Sequence, residues 1–320
     1  MARKKYEALP TSRGSGLVAQ THNVKLSDGT TATLVNQGRT PLARASAPVD
    51  KAKVAVLNRL PQQEAQFRRI MRRVIKEFEA ELRKADKPNY RRIDGSLRAP
   101  TVKRLEGLLD LMVRQAVRDM RDNVLSNIEG ATKTYIRAVA QAHPNRIVAS
   151  KDVATLARQI AVSSYTQVVG GATASQRVAV LGARLEGELK ALIGLPKEDR
   201  AEKRDRLNRR LVDNQGSHEA CVTKGLQRLN RTEQSRSMQR AAVEILKKSG
   251  ETLAYWRLSP AHKDYGGGEV CEVLASSTGE GVDAELIRLG LSAPREGLYL
   301  LTKFPETPHA NCMCSVDIML

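Results

Sequence analysis

The pattern of apolar and polar positions divides the chain into three stretches. Residues 1–60 are rich in Gly, Ser, Thr, Pro, Lys and Arg and show no sustained period. From about residue 61 to 250, apolar residues recur every three or four positions, which predicts amphipathic helices. After that the apolar runs become short and Gly-rich, which is typical of small strands and loops. We therefore predict a basic, partly flexible N-terminal arm (1–60), a helical body (61–250) and a small C-terminal α+β module (251–320).

The helical period predicts the elements of the body individually. In the first helix, Phe67, Ile70, Met71, Val74 and Leu82 lie three or four residues apart. A break is expected at Lys87–Tyr90, which contains Pro88. The predicted helical stretches are 62–82, 102–124, 135–143, 150–165, 178–192, 197–211 and 225–248. The fold class that follows is mainly α, with an elongated helical body.

Short strands are predicted at both ends of the chain. In the arm, 24–35 alternates around Asp28-Gly29, a turn typical of a β-hairpin. A lone hairpin is marginally stable in water, so this one needs a neighbour to lie against. In the module, 253–258 and 298–301 are the predicted strands, and the first contains the single Trp of the chain.

The net charge of the chain predicts a class of binding partner. The formal net charge is +18 and the pI is near 10.0, which predicts attraction to polyanions, above all double-stranded DNA. The candidate nucleic-acid contacts are Arg3, Lys4, Lys5 and Arg13 in the arm, and Arg68, Arg69, Arg72 and Arg73 on the outer face of the first helix. The alternatives are a disordered tail for the arm and an ordinary solvated face for the helix.

The apolar runs and the cysteines indicate the cellular compartment in which the protein is made. No run approaches the about 20 residues that span a bilayer, and the N-terminus lacks the apolar stretch of a signal peptide. We expect a protein made in the cytoplasm, with no membrane partner. Four cysteines in a reducing compartment favour metal binding or free thiols over disulfides.

Candidate chemistry is concentrated near the C-terminus. Structural zinc sites take four Cys or His ligands in a tetrahedron. The set Cys271, His309, Cys312 and Cys314 offers three sulfurs and one imidazole, and His262 is an alternative fourth ligand. The other interpretation is a hydrogen-bonded turn with buried thiols. Catalysis, for example by a His-based nuclease, is a further alternative, but two thiols beside one His fit ligation better than activation of a nucleophile.

The same stretch resembles a known family. The residues are Trp256–His262, Val270–Ala275, Gly297–Tyr299, Phe304-Pro305 and Pro308–Cys314. Together they are similar to the C-terminal signature of the tailed-phage minor head, or head morphogenesis, proteins. The helix that contains Arg231-Thr232-Glu233 is similar to the one that precedes this signature in the family. The resemblance covers about residues 226–316, and Ala310 stands where the family has Pro.

The resemblance implies a function for the chain. It implies a non-enzymatic virion protein that acts in procapsid assembly, at the portal vertex or inside the capsid. Its implied partners are the portal protein, the major capsid or scaffold protein and packaged double-stranded DNA, and an oligomer is compatible with that role. The alternatives are a metal-stabilised DNA-processing enzyme such as a nuclease, and a nucleic-acid-binding protein with no virion role.

Overall fold

The protein is mainly α-helical, which confirms the predicted fold class. The computed structural model describes residues 21–25, 31–35, 47–142, 152–212, 221–259, 262, 269–306, 312 and 314–318. The helices are α1 (Ala47–Ala85), α2 (Ala99–Ala142), α3 (Asp152–Thr166), α4 (Ala174–Lys190), α5 (Lys197–Leu207), α6 (Val222–Lys248), α7 (Glu269–Ser276) and α8 (Val282–Leu289). The strands are β1 (Thr21–Lys25), β2 (Thr31–Val35), β3 (Leu253–Arg257), β4 (Leu298–Leu300) and β5 (Ser315–Ile318).

The described residues form two compact units. The C-terminal unit takes its residues from Met1–Leu60, Asn127–Ser164 and Arg231–Leu320, and the helical unit from Pro61–Ser126 and Tyr165–Asn230. This division differs from the three predicted stretches. The predicted body is shared between both units, and the predicted module shares a core with helical segments far from it in sequence.

Helix α1 begins earlier than the apolar period predicted. Residues 47–60 were assigned to the arm, but they are helical, and Val49, Val56, Leu57 and Leu60 are buried. Pro61 lies inside the helix. The core of the C-terminal unit explains this extension, because burying one apolar face stabilises a helix whose composition alone is unfavourable.

Helix α2 replaces two predicted helices. The stretches 102–124 and 135–143 are parts of one helix of 44 residues. Its buried stripe runs through Leu105, Val113, Met120 and Ile128 to Tyr135, with a spacing that stays helical throughout. Because nothing in this stripe breaks the period, Gly130 is accommodated inside the helix.

Two small antiparallel sheets lie in the C-terminal unit. The predicted hairpin forms, with β1 paired to β2 in a register that places Thr21 opposite Val35, and α7 contacts both strands. The second sheet has the order β4-β3-β5 and confirms the two strands predicted in the module. Strand β5 was not predicted. It pairs with β3 so that Val316 lies opposite Trp256.

Close helix packing organises the helical unit. Gly182 of α4 is buried, and a Cβ atom added there would collide with the side chain of Val117 on α2. A Cβ atom on Gly225 of α6 would lie 2.7 Å from Leu181 Cδ2. These glycines allow the helix backbones to approach where a side chain would separate them. Among the described residues, no helix is both long and apolar enough to cross a membrane.

A pair of glycines on α4 tests this packing. We expect Gly182→Ala to lower the free energy of unfolding by about 1–3 kcal/mol, because the added methyl overpacks the contact with Val117. Gly187 is on the same helix with open space around its Cα, so Gly187→Ala is the matched control and should raise stability by about 0.5–1 kcal/mol. Urea unfolding of both variants measures the difference, and equal shifts would contradict the packing.

Candidate metal centre

Strand β3 determines which side chains face the candidate site. Alternate residues of a strand point to opposite faces, and β3 is buried on both. One face, with Leu253 and Tyr255, packs in a small cluster with residues of α8 and β4. The other face, with Ala254 and Trp256, belongs to the main core of the C-terminal unit. That core also contains Cys271, Cys312, Cys314, Tyr299, Phe304 and Val316.

Three elements bring the candidate ligands together. Cys271 lies in the first turn of α7, and Cys314 directly precedes β5, whose pairing with β3 fixes its position. His262 follows β3, and its backbone N–H donates to the carbonyl of Ser259 at 2.9 Å. Gly297 allows the close approach of β3 and α7, because a Cβ atom there would lie 2.9 Å from the Trp256 oxygen and 3.0 Å from the Ala275 oxygen.

The ligand atoms have the spacing of a single metal site. The sulfurs of Cys271 and Cys312 are 3.7 Å apart, and the sulfur of Cys314 is 3.7 Å from His262 Nδ1. The ligand atoms of His262, Cys271 and Cys314 all lie within 4.8 Å of one another. A tetrahedral ion with Zn–S bonds of about 2.3 Å would separate two sulfurs by about 3.8 Å. The cluster could therefore hold a metal ion with little rearrangement.

Burial makes this a closed site. The exposed fractions are 0% for Cys271, 2% for Cys312, 1% for Cys314 and 8% for His262. Structural metal sites are closed by protein ligands, whereas catalytic ones keep a position open to water or substrate. The burial of all four groups is that of a structural site.

The three thiols of the cluster differ in the direction of their pKa shifts. Burial raises the pKa of Cys314, but hydrogen bonds from Cys271 and Cys312 and the neighbouring His262 outweigh burial and hold this pKa well below its ordinary value. Hydrogen bonds with Cys271 and Cys314, together with burial, raise the pKa of Cys312. Its hydrogen bond with Cys312 lowers the pKa of Cys271, but the contact with Cys314 and burial raise it by more. Of the three thiols, Cys314 is thus the one whose surroundings favour ionisation.

The second ring nitrogen of His262 faces a carboxylate. His262 Nε2 lies 3.7 Å from Glu272 Oε1, on the turn of α7 that also carries Cys271. A metal-bound histidine commonly directs its other ring nitrogen to a carboxylate, which fixes its tautomer and orientation. His262 therefore has the ligand geometry of a metal-binding imidazole, with the Glu272 carboxylate near its second nitrogen but beyond hydrogen-bond distance.

Helix α6 holds the backbone of the site. Ser235 Oγ donates to the carbonyl of Cys314 at 3.3 Å, and Gln239 Nε2 donates to the same carbonyl at 3.0 Å. Tyr135 donates its hydroxyl to the carbonyl of Val316, two residues further on. These contacts satisfy carbonyls that would otherwise be buried without a donor, and they fix the segment that carries Cys314.

The structure brings together part of the predicted ligand set. Cys271, Cys312 and Cys314 converge, with His262, the alternative fourth ligand, beside them. His309 lies outside the described residues. Among the predicted nucleic-acid contacts, Arg3, Lys4, Lys5 and Arg13 also lie outside them. On α1, Arg69, Arg72 and Arg73 are exposed and Arg68 is half-buried, and Arg73 forms an ion pair with Asp119.

The polar residues of α6 were missed by the sequence analysis. The segment from Gln227 to Gln239 is largely buried although most of its residues are polar. Ser237 Oγ is 2.6 Å from Thr132 Oγ1, and Arg236 donates to Glu233 at 3.1 Å. A polar helix is normally expected at the surface. The only available signal was the resemblance at Arg231-Thr232-Glu233, which singled out this helix.

The ligand set has a direct test. We expect purified protein to bind one soft divalent ion, and Cys271→Ser, Cys314→Ser and His262→Ala to lose at least about tenfold in affinity, since each removes a direct ligand. Elemental analysis gives the stoichiometry. The Co²⁺-substituted protein should show a thiolate charge-transfer band that weakens in the two Ser variants.

Two control variants make the result specific. Cys221 is fully buried but belongs to the helical unit, where its sulfur contacts the carbonyl of Leu211 at 3.5 Å. Cys221→Ser should therefore leave the metal content unchanged. Because His262 already lies in one group with Cys271 and Cys314, His309→Ala should also retain the ion. Loss of metal in His309→Ala but not in His262→Ala would overturn the assignment of His262.

No protein-family model, curated protein or solved structure matches this chain. The resemblance to the minor head proteins therefore depends on the residues themselves. Of these residues, Trp256, His262, Cys271, Phe304 and Cys314 are buried in the C-terminal unit.

Proposed function

We propose that the protein is a minor head, or head morphogenesis, protein of a tailed bacteriophage. In this role it is a structural component of the virion that acts in procapsid assembly at the portal or capsid and contacts packaged DNA. Its partners are then the portal protein, the major capsid or scaffold protein and double-stranded DNA. It is made in the host cytoplasm and ends inside the capsid or at the portal vertex.

The observation that supports this proposal most is the convergence of the signature residues on a closed site. Trp256 stacks on Phe304 with ring centroids 6.1 Å apart, in the same core as Cys271, Cys312 and Cys314. Signature residues of an enzyme are expected around a cleft that admits substrate. Here they form a core, so the signature specifies a fold and fits a structural protein.

The burial of His262 argues against a nuclease that uses this residue as its general base. A general base must lie within hydrogen-bond reach of a substrate or its attacking water. His262 is 8% exposed and directs its two ring nitrogens toward Cys314 and Glu272. The imidazole is therefore engaged inside the protein, as a ligand or a hydrogen-bonding group.

Zinc is the ion that we assign to the site. A closed site lined by cysteine sulfurs and an imidazole is typical of structural Zn²⁺, which has no redox chemistry. Zinc would hold α7, the segment at Cys312 and the start of β5 at one point. The ion would thereby stabilise a small sheet that has only three strands.

Charge supports the contact with DNA. A protein enclosed with densely packed DNA gains affinity when Lys and Arg side chains displace counterions from phosphates. Exposed cations on α1, including Arg69, Arg72 and Lys76, offer such contacts in the part of the chain that the structure describes. The net charge of +18 extends the attraction over the whole molecule.

Association with particles tests the proposed function. The gene is expressed with the neighbouring portal, scaffold and major capsid genes, and particles are purified by sedimentation and analysed by quantitative mass spectrometry. We expect the protein in the particles in few copies. Cys314→Ser should be depleted from them because the C-terminal unit loses its metal-stabilised core, and Cys221→Ser should be retained. Absence of the protein from particles, together with DNA cleavage that His262→Ala abolishes, would favour the nuclease.

The salt dependence of DNA binding tests the electrostatic contact. We expect the logarithm of the affinity to fall linearly with the logarithm of salt concentration. Arg69→Gln and Lys76→Gln should each reduce that slope by about 1, because each removes one phosphate contact. Arg206 is exposed but paired with Glu202 at 2.9 Å, so Arg206→Gln is the control and should change the slope less. A slope near zero for the native protein, measured by fluorescence anisotropy, would contradict the contact.

A further inference from the structure

The connection between α1 and α2 is a rigid, exposed turn. Arg92 N–H donates to the carbonyl of Ser96 at 2.8 Å, and Gly95 N–H donates to the carbonyl of Arg92 at 3.0 Å. Gly95 has a φ of +80°, the left-handed conformation that closes a three-residue hairpin loop. Asp94 accepts from the backbone N–H and the hydroxyl of Ser96 at 2.9 and 2.6 Å. The loop is therefore fixed by its own hydrogen bonds.

The turn is anchored to the rest of the helical unit. The carboxylate of Asp86, at the end of α1, accepts from Arg91 and from Arg200 of α5, the latter at 2.6 Å. Arg91 also donates to the carbonyl of Gly95, on the other side of the turn. The exposed fractions of the Asp86 and Arg200 side chains are both 10%, so this ion pair is mostly shielded from water. The base of the turn is thus held in place before any partner binds.

The apex of this rigid turn is Ile93. Its exposed fraction is 109%, the highest of the large apolar residues that the structure describes. Single exposed apolar residues are common on protein surfaces. Ile93 differs in being the most prominent residue of a turn whose hydrogen bonds prevent it from folding back onto the protein.

The surroundings of Ile93 are basic. Between Asp86 and Arg104 the sequence has six basic and two acidic residues, and one of the two acids, Asp86, is neutralised by its arginines. Arg92, Arg98 and Lys103 are exposed, and Arg104 is exposed and lies over the ring of Tyr90 at 5.6 Å. An apolar apex among cations is complementary to a polyanion that also offers an apolar interior. Duplex DNA has both, in its phosphates and its stacked bases.

We propose that the 91–98 turn binds double-stranded DNA from the minor groove, with Ile93 inserted between two base pairs and Arg92 beside it in the groove. Apolar wedges flanked by cations partly unstack a base step and kink the duplex. The minor groove is about 6 Å wide, which is too narrow for a helix but admits a narrow turn and its side chains. This proposal rests on the DNA contact of the proposed function. It adds that the protein bends the duplex as well as binding its phosphates.

Asp94 gives the proposal an internal test. Its carboxylate lies next to the apex, and hydrogen bonds from Ser96 keep its pKa below the ordinary value, so it is ionised at neutral pH. An Asn at this position retains an oxygen that accepts from Ser96 and removes the negative charge. The turn should therefore persist in Asp94→Asn, and DNA should bind more tightly because a repulsion of phosphates is lost.

The experiment measures DNA binding and deformation together. The full-length protein is titrated into a short duplex that contains 2-aminopurine, which reports unstacking, and carries a donor and an acceptor dye at its ends, which report bending. The native protein should raise both signals. Ile93→Ala should lose both while its affinity falls by less than about tenfold, since phosphate contacts supply most of the affinity. Ile287→Ala is the matched control, because Ile287 is 81% exposed on α8, and it should behave as the native protein does.

The other outcomes separate this proposal from the proposed function. DNA binding without unstacking by the native protein overturns the wedge and leaves the phosphate contact of the proposed function intact. Equal unstacking and bending signals from the native protein and Ile93→Ala also overturn the insertion of Ile93. So does a DNA affinity that is unchanged in Asp94→Asn. A photocrosslinking residue at position 93 that captures a capsid or portal protein in assembled particles, and no DNA, assigns the turn to a protein interface and overturns the proposal. Loss of the protein from particles, by contrast, bears on the proposed function alone.

Discussion

The burial of three thiols and one imidazole in an apolar core is the constraint on which the C-terminal unit depends. Polar groups removed from water destabilise a fold unless they find partners inside it. Cys314 shows the difficulty most clearly, because neighbouring groups hold its pKa below the ordinary value although its exposed fraction is only 1%. A shared metal ion would give the buried sulfurs and the imidazole a common partner, and without one they depend on hydrogen bonds and packing alone.

The same constraint explains the polar character of α6. Cys314 and Val316 lie in a segment whose carbonyls are buried, and a purely apolar helix beside it would leave them without donors. Ser235 and Gln239 supply those donors from α6, and Tyr135 supplies one from α2. The helix gives up apolar burial to position the segment that carries the ligands. Its polar residues are therefore part of the site, although none of them is a ligand.

The sequence predicted the parts of the fold that depend on local period. The stripe of Leu105, Leu109 and Val113 was recognised because burial on one face of a helix imposes a spacing of three or four residues. The start of α1 at Ala47 was missed because its stability comes from a distant core rather than from its composition. Strand β5 was missed for a related reason, since four residues are recognised as a strand only once their pairing with β3 is known.

The candidate site was likewise predicted only in part from the sequence. The residue types and spacing of Cys271, Cys312 and Cys314 were sufficient to predict a sulfur cluster. Spacing could not place His262 beside the sulfurs, because its position depends on how β3 directs the chain that follows it. Nor could it reveal the exposed apex at Ile93, since exposure is a property of the folded turn.

Hydrogen exchange of the metal-loaded and chelator-treated protein tests the central claim most directly. If the ion holds the C-terminal unit together, amides of α7 and β5 will lose protection by at least about tenfold when the metal is removed, because binding free energy becomes folding free energy at such a site. Amides of α4, in the helical unit, will keep their protection from exchange. Equal protection of α7 and β5 with and without metal would contradict the account and would mean that the thiols are held by packing and hydrogen bonds alone.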